Sequence, residues 1–204
     1  MVFIRFAPFS TALKNFLAYA LVCIFLLTSC SRQQSPEITS GEYFSLRKFF
    51  ESESAKLQSS GTGIKKIITR DGTSQELIMD SVAWTNELKL FIESDLNKKS
   101  WTGLYHVDST LSDSALVIRY SANDSMLQVK HVEILFVRGD VYEIRIESRL
   151  KNFYYQSAML LHYLPGKSYR INGEQVLRFA SMQTYLVEGI FLNPAAASQP
   201  APAE

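Results

Sequence analysis

From Trp101 onward, apolar and polar residues alternate with a period of two, interrupted by short turn-forming pairs. That period is the spacing of side chains along a strand, so this part of the chain must build a sheet. The candidate strands are 102–108, 115–121, 128–138, 141–150, 153–164, 167–171, 175–180 and 183–192. Ser112-Asp113, Asn123-Asp124, Gly139-Asp140, Lys151-Asn152, Pro165-Gly166 and Ser181-Met182 separate most of them. Links this short join only antiparallel neighbours, because a parallel crossover needs a dozen or more residues. The pattern predicts an antiparallel meander of about six to eight strands.

Different periods precede it. In "YFSLRKFFESESAKLQ", Tyr43, Leu46, Phe50 and Leu57 recur at helical spacing, and Gly61 and Gly63 end the run. "IKKIITRDGTSQELIM" reads as two strands around Asp71-Gly72, a strong hairpin signal. A second helix should follow, capped by Asp80 or Ser81, with Trp84, Leu88, Phe91 and Ile92 as its buried stripe. Lys98 and Lys99 would favour its negative end. The expected fold class is α+β: two N-terminal helices with an intervening hairpin, packed on one face of a curved antiparallel meander.

Two details of the meander can be argued further. Tyr142, Ile144 and Ile146 alternate with Glu143, Arg145 and Glu147, and Val132, Ile134 and Phe136 are the matching set on the preceding strand. A two-residue Gly139-Asp140 loop would set Phe136 against Glu143. An odd loop, Arg138-Gly139-Asp140, sets Phe136 against Tyr142 and Ile134 against Ile144, and is the expectation. The strand 153–164 is apolar on both faces. Phe153, Tyr155, Met159 and Leu161 share one, and Tyr154, Ala158, Leu160 and Leu164 the other. A two-sided strand calls for cover on both sides, as a central strand between helices and a curled-over sheet would have. Alternatively the second face, Tyr154, Ala158, Leu160 and Leu164, is a candidate apolar binding surface.

The N-terminus gives an address. Arg5 and Lys14 precede an unbroken apolar run from 16 to 27, with no acid before Cys30. Twelve helical residues rise about 18 Å, well short of the roughly 30 Å hydrocarbon core, so the segment reads as a secretory signal and not a span. It ends in Leu27-Thr28-Ser29-Cys30, which resembles a bacterial lipobox. The resemblance implies cleavage between Ser29 and Cys30 and lipidation of the Cys30 thiol, the soft nucleophile such a thioether needs. Residues 1–29 would be the signal peptide, 30–40 a flexible lipid-anchored tether, and 41–192 one globular domain. The Ala/Pro-rich 193–204 would be a disordered tail.

Cleavage removes Arg5 and Lys14 and no acid, so a net charge of +1 becomes −1. A near-neutral mature chain argues against nucleic acid, which demands a basic face. Cys23 leaves with the signal and Cys30 is consumed by lipid, so no disulfide or thiol nucleophile is expected.

The remaining motifs resolve into ordinary structure. Pro165-Gly166-Lys167-Ser168 ends like a phosphate loop, yet Leu161 stands where that pattern requires Gly. Ser45-Leu46-Arg47-Lys48 matches Ser-x-x-Lys without the Lys-Thr-Gly and Ser-Asp-Asn partners, so Ser45 reads as an N-cap. Arg138-Gly139-Asp140 is turn chemistry. His106, His131 and His162 lie on separate strands with no ligand spacing, so no metal and no cofactor is expected. Glu87, Glu93 and Asp95 read as solvated helix charges. Asp80-Ser81-Val82, Asp108-Ser109-Thr110, Asp113-Ser114-Ala115 and Asp124-Ser125-Met126 resemble a bacterial O-glycosylation pattern. Ser81, Ser109, Ser114 and Ser125 are therefore candidate sites, with turn and cap chemistry the leading reading.

The mature chain resembles a set of uncharacterised bacterial envelope lipoproteins over most of 43–192. They share a helix with paired Phe, a hairpin, and a helix close to "WTNELKLFIESDLNK". That likeness implies no reaction. The expected function is non-enzymatic: an envelope protein, held to the membrane by its N-terminal lipid, that binds an apolar ligand or another envelope protein through its sheet. Ser31 after Cys30 fits outer-membrane delivery. A hydrolase of envelope polymers, using residues such as His106, His162 and Glu93, and a structural subunit of an outer-membrane assembly are the alternatives.

Overall fold

The structure, a computed structural model, describes residues 43–177 and 181–192. The signal segment with Ser29 and Cys30, the tether and the tail lie outside the described residues.

Helix α1 (Leu46–Ser59) forms as its pattern predicts, with Leu46, Phe50 and Leu57 buried along one stripe. Ser45 caps it, its Oγ accepting from the Lys48 amide at 3.3 Å. The helix stops at Gly61, whose φ of +62° suits a residue without Cβ. There the Gly61 and Thr62 amides donate back to the Gln58 and Leu57 carbonyls. Strands β1 (Gly63–Arg70) and β2 (Thr73–Met79) follow, turning at Asp71-Gly72. The second helix is shorter than expected and broken into α2 (Trp84–Glu87) and α3 (Lys89–Glu93) around Leu88. Neither Asp80 nor Ser81 caps it. Ala83 holds that position and supplies no side-chain bond.

Seven strands complete the chain: β3 (Tyr105–Leu111), β4 (Ala115–Ala122), β5 (Val129–Val137), β6 (Asp140–Lys151), β7 (Tyr155–Leu164), β8 (Ser168–Leu177) and β9 (Gln183–Leu192). The candidates 167–171 and 175–180 are one strand, β8. All nine strands form a single antiparallel sheet, ordered β2-β1-β9-β8-β7-β6-β5-β4-β3. The N-terminal hairpin is therefore no separate layer. It extends the sheet, because β1 pairs with β9 from Gly63↔Leu192 to Arg70↔Tyr185. The molecule is richer in strand than an α+β plan of two helices and up to eight strands.

The β5–β6 hairpin corrects a second expectation. Its loop is even, Arg138-Gly139, with Val137 opposite Asp140. Both loop residues take positive φ, +54° and +91°, as a tight type I′ turn requires. Parity is restored by a bulge: Leu135 pairs Glu143 while Phe136 pairs Val141, leaving Tyr142 extra and half exposed. Ile134 still faces Ile144. A second bulge at Lys130 lets Val129 and Val132, three apart, both point inward.

One face of the sheet, called inner here, carries Ile64, Tyr120, Val132, Ile134, Ile144, Ile146, Leu161, Tyr163, Tyr169 and Ile171, all buried. The helices cover it through an aromatic cluster. Phe50 meets Phe91 and Tyr163 at 4.9 Å each, and Trp84 meets Phe191 at 4.9 Å. Two carboxylates pin the layers. Glu53 on α1 accepts from the Tyr163 hydroxyl at 3.1 Å and pairs with Lys56 at 2.9 Å. Glu87 on α2 accepts from the Tyr169 hydroxyl and pairs with Lys66 at 2.7 Å. Tyr169 reaches Glu87 because its ring lies on Gly189, where a Cβ would meet its Cε1 at 2.3 Å. Glu87 and Asp95 are thus structural groups, not solvated charges. The buried Asp95 accepts from the Arg47 amide at the start of α1.

Burial first, and then the neighbouring carboxylates, push the Tyr163 and Tyr169 hydroxyls far above the ordinary tyrosine range. Above about pH 10 the unfolded chain releases these protons and the folded protein keeps them, so stability must fall as pH rises. Urea melts across pH 8–11 should therefore lose stability steeply at the alkaline end. Tyr163→Phe should flatten that loss while costing about 1.5–3 kcal/mol at pH 7. Gly189→Ala should cost about 1–3 kcal/mol by driving the Tyr169 ring off the sheet. A wild-type urea midpoint in that variant would contradict the close approach.

Candidate functional site

The centre of the nine-stranded sheet is β7, and its two faces meet different surroundings. Ser157, Met159, Leu161 and Tyr163 point to the helical layer, in register with Leu150, Ser148, Ile146 and Ile144 of β6. Ala158, Leu160, His162 and Leu164 point to the outer face, which no described helix or strand covers. The expected cover on both sides is absent among the described residues. Leu160 is 56% exposed.

Around Ala158 and Leu160 the outer face sinks into an open depression of about 410 Å³. Small and apolar groups floor it, and Glu147, Arg149, Asn172, Glu174 and Thr184 rim it. The register explains the rim. Glu147, Leu160 and Asn172 lie in one cross-strand row, and Arg149, Ala158 and Glu174 in the next. Arg149 is held by Glu147 at 2.7 Å.

The four predicted binding residues do not form one surface. Tyr154 sits at the β6–β7 tip, 71% exposed, its amide donating to Asn152 Oδ1. Leu164 lies beyond His162, at the other end of the strand. Between Leu160 and Leu164 runs a row of charge across the face. Arg119 meets Asp108 at 3.9 Å and Glu133 at 2.7 Å, and Arg145 meets Glu133 at 3.6 Å and Glu143 at 2.7 Å. His162 Nε2 lies 2.5 Å from Glu143 but off the line of a hydrogen bond, and Arg170 holds Glu188 at 2.6 Å. Only Ala158 and Leu160 share the depression. Strand spacing in the sequence could not show this row, because its charges come together only through the register.

The histidines of the hydrolase reading, His106 on β3 and His162 on β7, lie on this same outer face, as does His131 on β5. His131 Nδ1 is 3.2 Å from Ser121 Oγ. Glu93 is on α3, in the layer on the inner side, where it borders a crevice of about 230 Å³ with Arg47, Lys98 and Met159. The sheet separates Glu93 from His106 and His162, so these three do not assemble a site. Among the described residues, no group of three His, Cys, Asp or Glu side chains is placed to hold a metal ion. Lys98 does not serve the end of α3. Its ammonium stands 3.8 Å over the Trp101 ring, and burial lowers its pKa. Ser81, Ser109, Ser114 and Ser125 are all exposed.

No described helix is long and apolar enough to cross a membrane. Comparisons with protein-family models, curated proteins and solved structures found no match to this chain. The class defined by the geometry is an open antiparallel sheet with a helical layer on one face and a charged, indented outer face.

The Arg145 side chain and most of the charge row lie at the surface, where ion pairs gain little. Arg145→Ala should change the unfolding free energy by no more than about 1 kcal/mol, and added salt should shrink the difference. A loss several times larger in urea denaturation would make the row a structural element.

Proposed function

We propose that this chain is a lipid-anchored protein of the bacterial cell envelope that works by binding and not by catalysis. The observation that carries the binding part is the depression over Ala158 and Leu160 on the uncovered face of the central strand. An apolar floor with a rim of paired charges and amides suits a protein segment, whose side chain fills the hollow while its polar groups meet the rim. A free lipid would need a more enclosed cavity than this open one to bury most of its surface. The occupant is therefore a stretch of another envelope protein.

The anchor rests on Leu27-Thr28-Ser29-Cys30 and the short apolar run before it. Acyl chains on Cys30 give stable attachment, at about 0.8 kcal/mol per buried methylene. Ser31 supports delivery to the outer membrane, with the folded domain in the periplasm or at the cell surface. The hydrolase reading gains no support from residues the sheet holds apart.

Two measurements test this. Labelled palmitate should enter the wild-type chain and not Cys30→Ser, and equal incorporation would refute the anchor. A photo-crosslinking residue at position 158 should give one dominant adduct in intact cells, abolished by Leu160→Asp. No adduct, or the same adduct from a probe at position 113, would refute the binding face.

A further inference from the structure

The two ends of the sheet differ in chemistry. At one end the β3–β4, β5–β6 and β7–β8 turns carry Ser112, Asp113, Ser114, Arg138, Gly139, Pro165, Gly166 and Lys167. Leu111, Tyr142, Ile78 and Ile190 are also exposed near this end, but on strands beside the turns and not at their tips. At the opposite end, described residues of the β4–β5, β6–β7 and β8–β9 connections present large apolar side chains to solvent. Met126 in the β4–β5 loop is 84% exposed, Phe153 at the β6–β7 tip 70%, and Met182 before β9 56%. Tyr154 stands beside Phe153, the rings edge-on at 5.3 Å. Successive hairpin tips are two strands apart, so the three make a row about 20 Å long.

Cations flank that row. Arg70, Lys99 and Lys151 lie at this end, with Lys130, whose ammonium donates to the Ser125 and Leu127 carbonyls of its own loop, against Asp71 and Asp124. Both acids also serve their own loops, Asp71 accepting from the Thr184 amide and Asp124 from the Met126 amide. Glu174 stands one row behind, on the outer face. Aromatic and thioether tips with lysines around them match the interface of a bilayer, where amphipathic rings sit at headgroup depth and cations meet anionic lipid.

The chain itself says what this end faces. It enters the described domain at Tyr43, whose backbone is clamped by Asn97 through bonds of 3.1 and 3.0 Å. The Tyr43 hydroxyl accepts from the amide of Tyr105, the first residue of β3, at this same end. Residues 31–42 are all that separate Tyr43 from Cys30, a span of at most about 45 Å when extended. We propose that the Met126, Phe153, Tyr154 and Met182 end of the sheet docks onto the anionic surface of the membrane that holds the chain. This inference rests on the proposed lipid anchor. It sets the sheet upright on the bilayer, with the β7 depression facing sideways and open to a partner.

The test uses the acylated protein, isolated as the palmitate-labelled fraction, so that failure of the anchor is seen before docking is measured. With Cys23 removed and Cys30 acylated, a cysteine introduced by Met126→Cys or, at the far end, by Asp113→Cys is the sole free thiol for a fluorophore. In vesicles of phosphatidylethanolamine and phosphatidylglycerol with a headgroup quencher, the label at 126 should be quenched several-fold more than the label at 113. Phe153→Ser with Tyr154→Ser should remove at least half of that quenching while leaving the thermal unfolding curve in place. High salt should weaken it. Equal quenching at both positions, stronger quenching at 113, or no effect of the double substitution would overturn the proposal. So would a label at 126 that is shielded only when membrane proteins are added, which would mark a protein interface instead.

Discussion

Two buried phenols hold this molecule together. Tyr163 and Tyr169 stand on adjacent central strands and donate to Glu53 and Glu87 on two different helices. Each carboxylate is also met by a lysine, Lys56 or Lys66, so neither is buried without compensation. Around these bonds Phe50, Phe91, Trp84 and Phe191 pack ring against ring. Helices as short as α2 and α3 have little stability of their own, and the tyrosine anchors and aromatic contacts supply what local propensity cannot. The small residues opposite follow from the same need. Gly189 and Gly173 give up side chains so that Tyr169 and Tyr185 can lie flat on the sheet.

Committing the apolar mass to the inner face leaves the outer face to charge and register. Its row from Asp108 to Glu188 is built mostly of pairs at the surface, which add little stability. What they do is divide the outer face of β7, so that Leu160 and Leu164 fall in separate surroundings. The indentation over Ala158 exists because a small side chain sits among long ones, Glu147, Arg149 and Glu174. With the tips of one end apolar and the depression on a broad face, the molecule offers two surfaces at right angles. One is the proposed bilayer face, the other the proposed partner face.

Much of the strand pattern was legible in the chain. Asp71-Gly72, Ser45 and the period-two runs each did locally what such residues do. The β5–β6 hairpin was half legible. A parity change is required, and Val141 and Ile144, three apart and both inward-facing, mark it as a bulge and not an odd loop. The spacing of Val129 and Val132 carries the same signal at Lys130. The split of the second helix at Leu88 and the loss of the Asp80 or Ser81 cap leave no comparable trace, since tertiary packing positions Trp84 and overrides the local caps. The partners of Glu87 and Asp95 are not legible, because a helical wheel shows which residues share a face but not which phenol or amide will meet them.

By itself, then, the sequence determined most of the strands, their antiparallel order within the meander, the first hairpin and the capped first helix. All of these follow from periodicity and turn stereochemistry within a few residues. It also carries the Leu27-Thr28-Ser29-Cys30 signal on which the proposed address depends. Only the tertiary structure decided that the hairpin joins β9 to make one nine-stranded sheet, and that Glu93 and the histidines lie on opposite sides of it. It also decided that Met126, Phe153 and Met182 share one end. Those facts depend on register between residues far apart in the chain, which is set by burial and cross-strand packing and not by any local pattern.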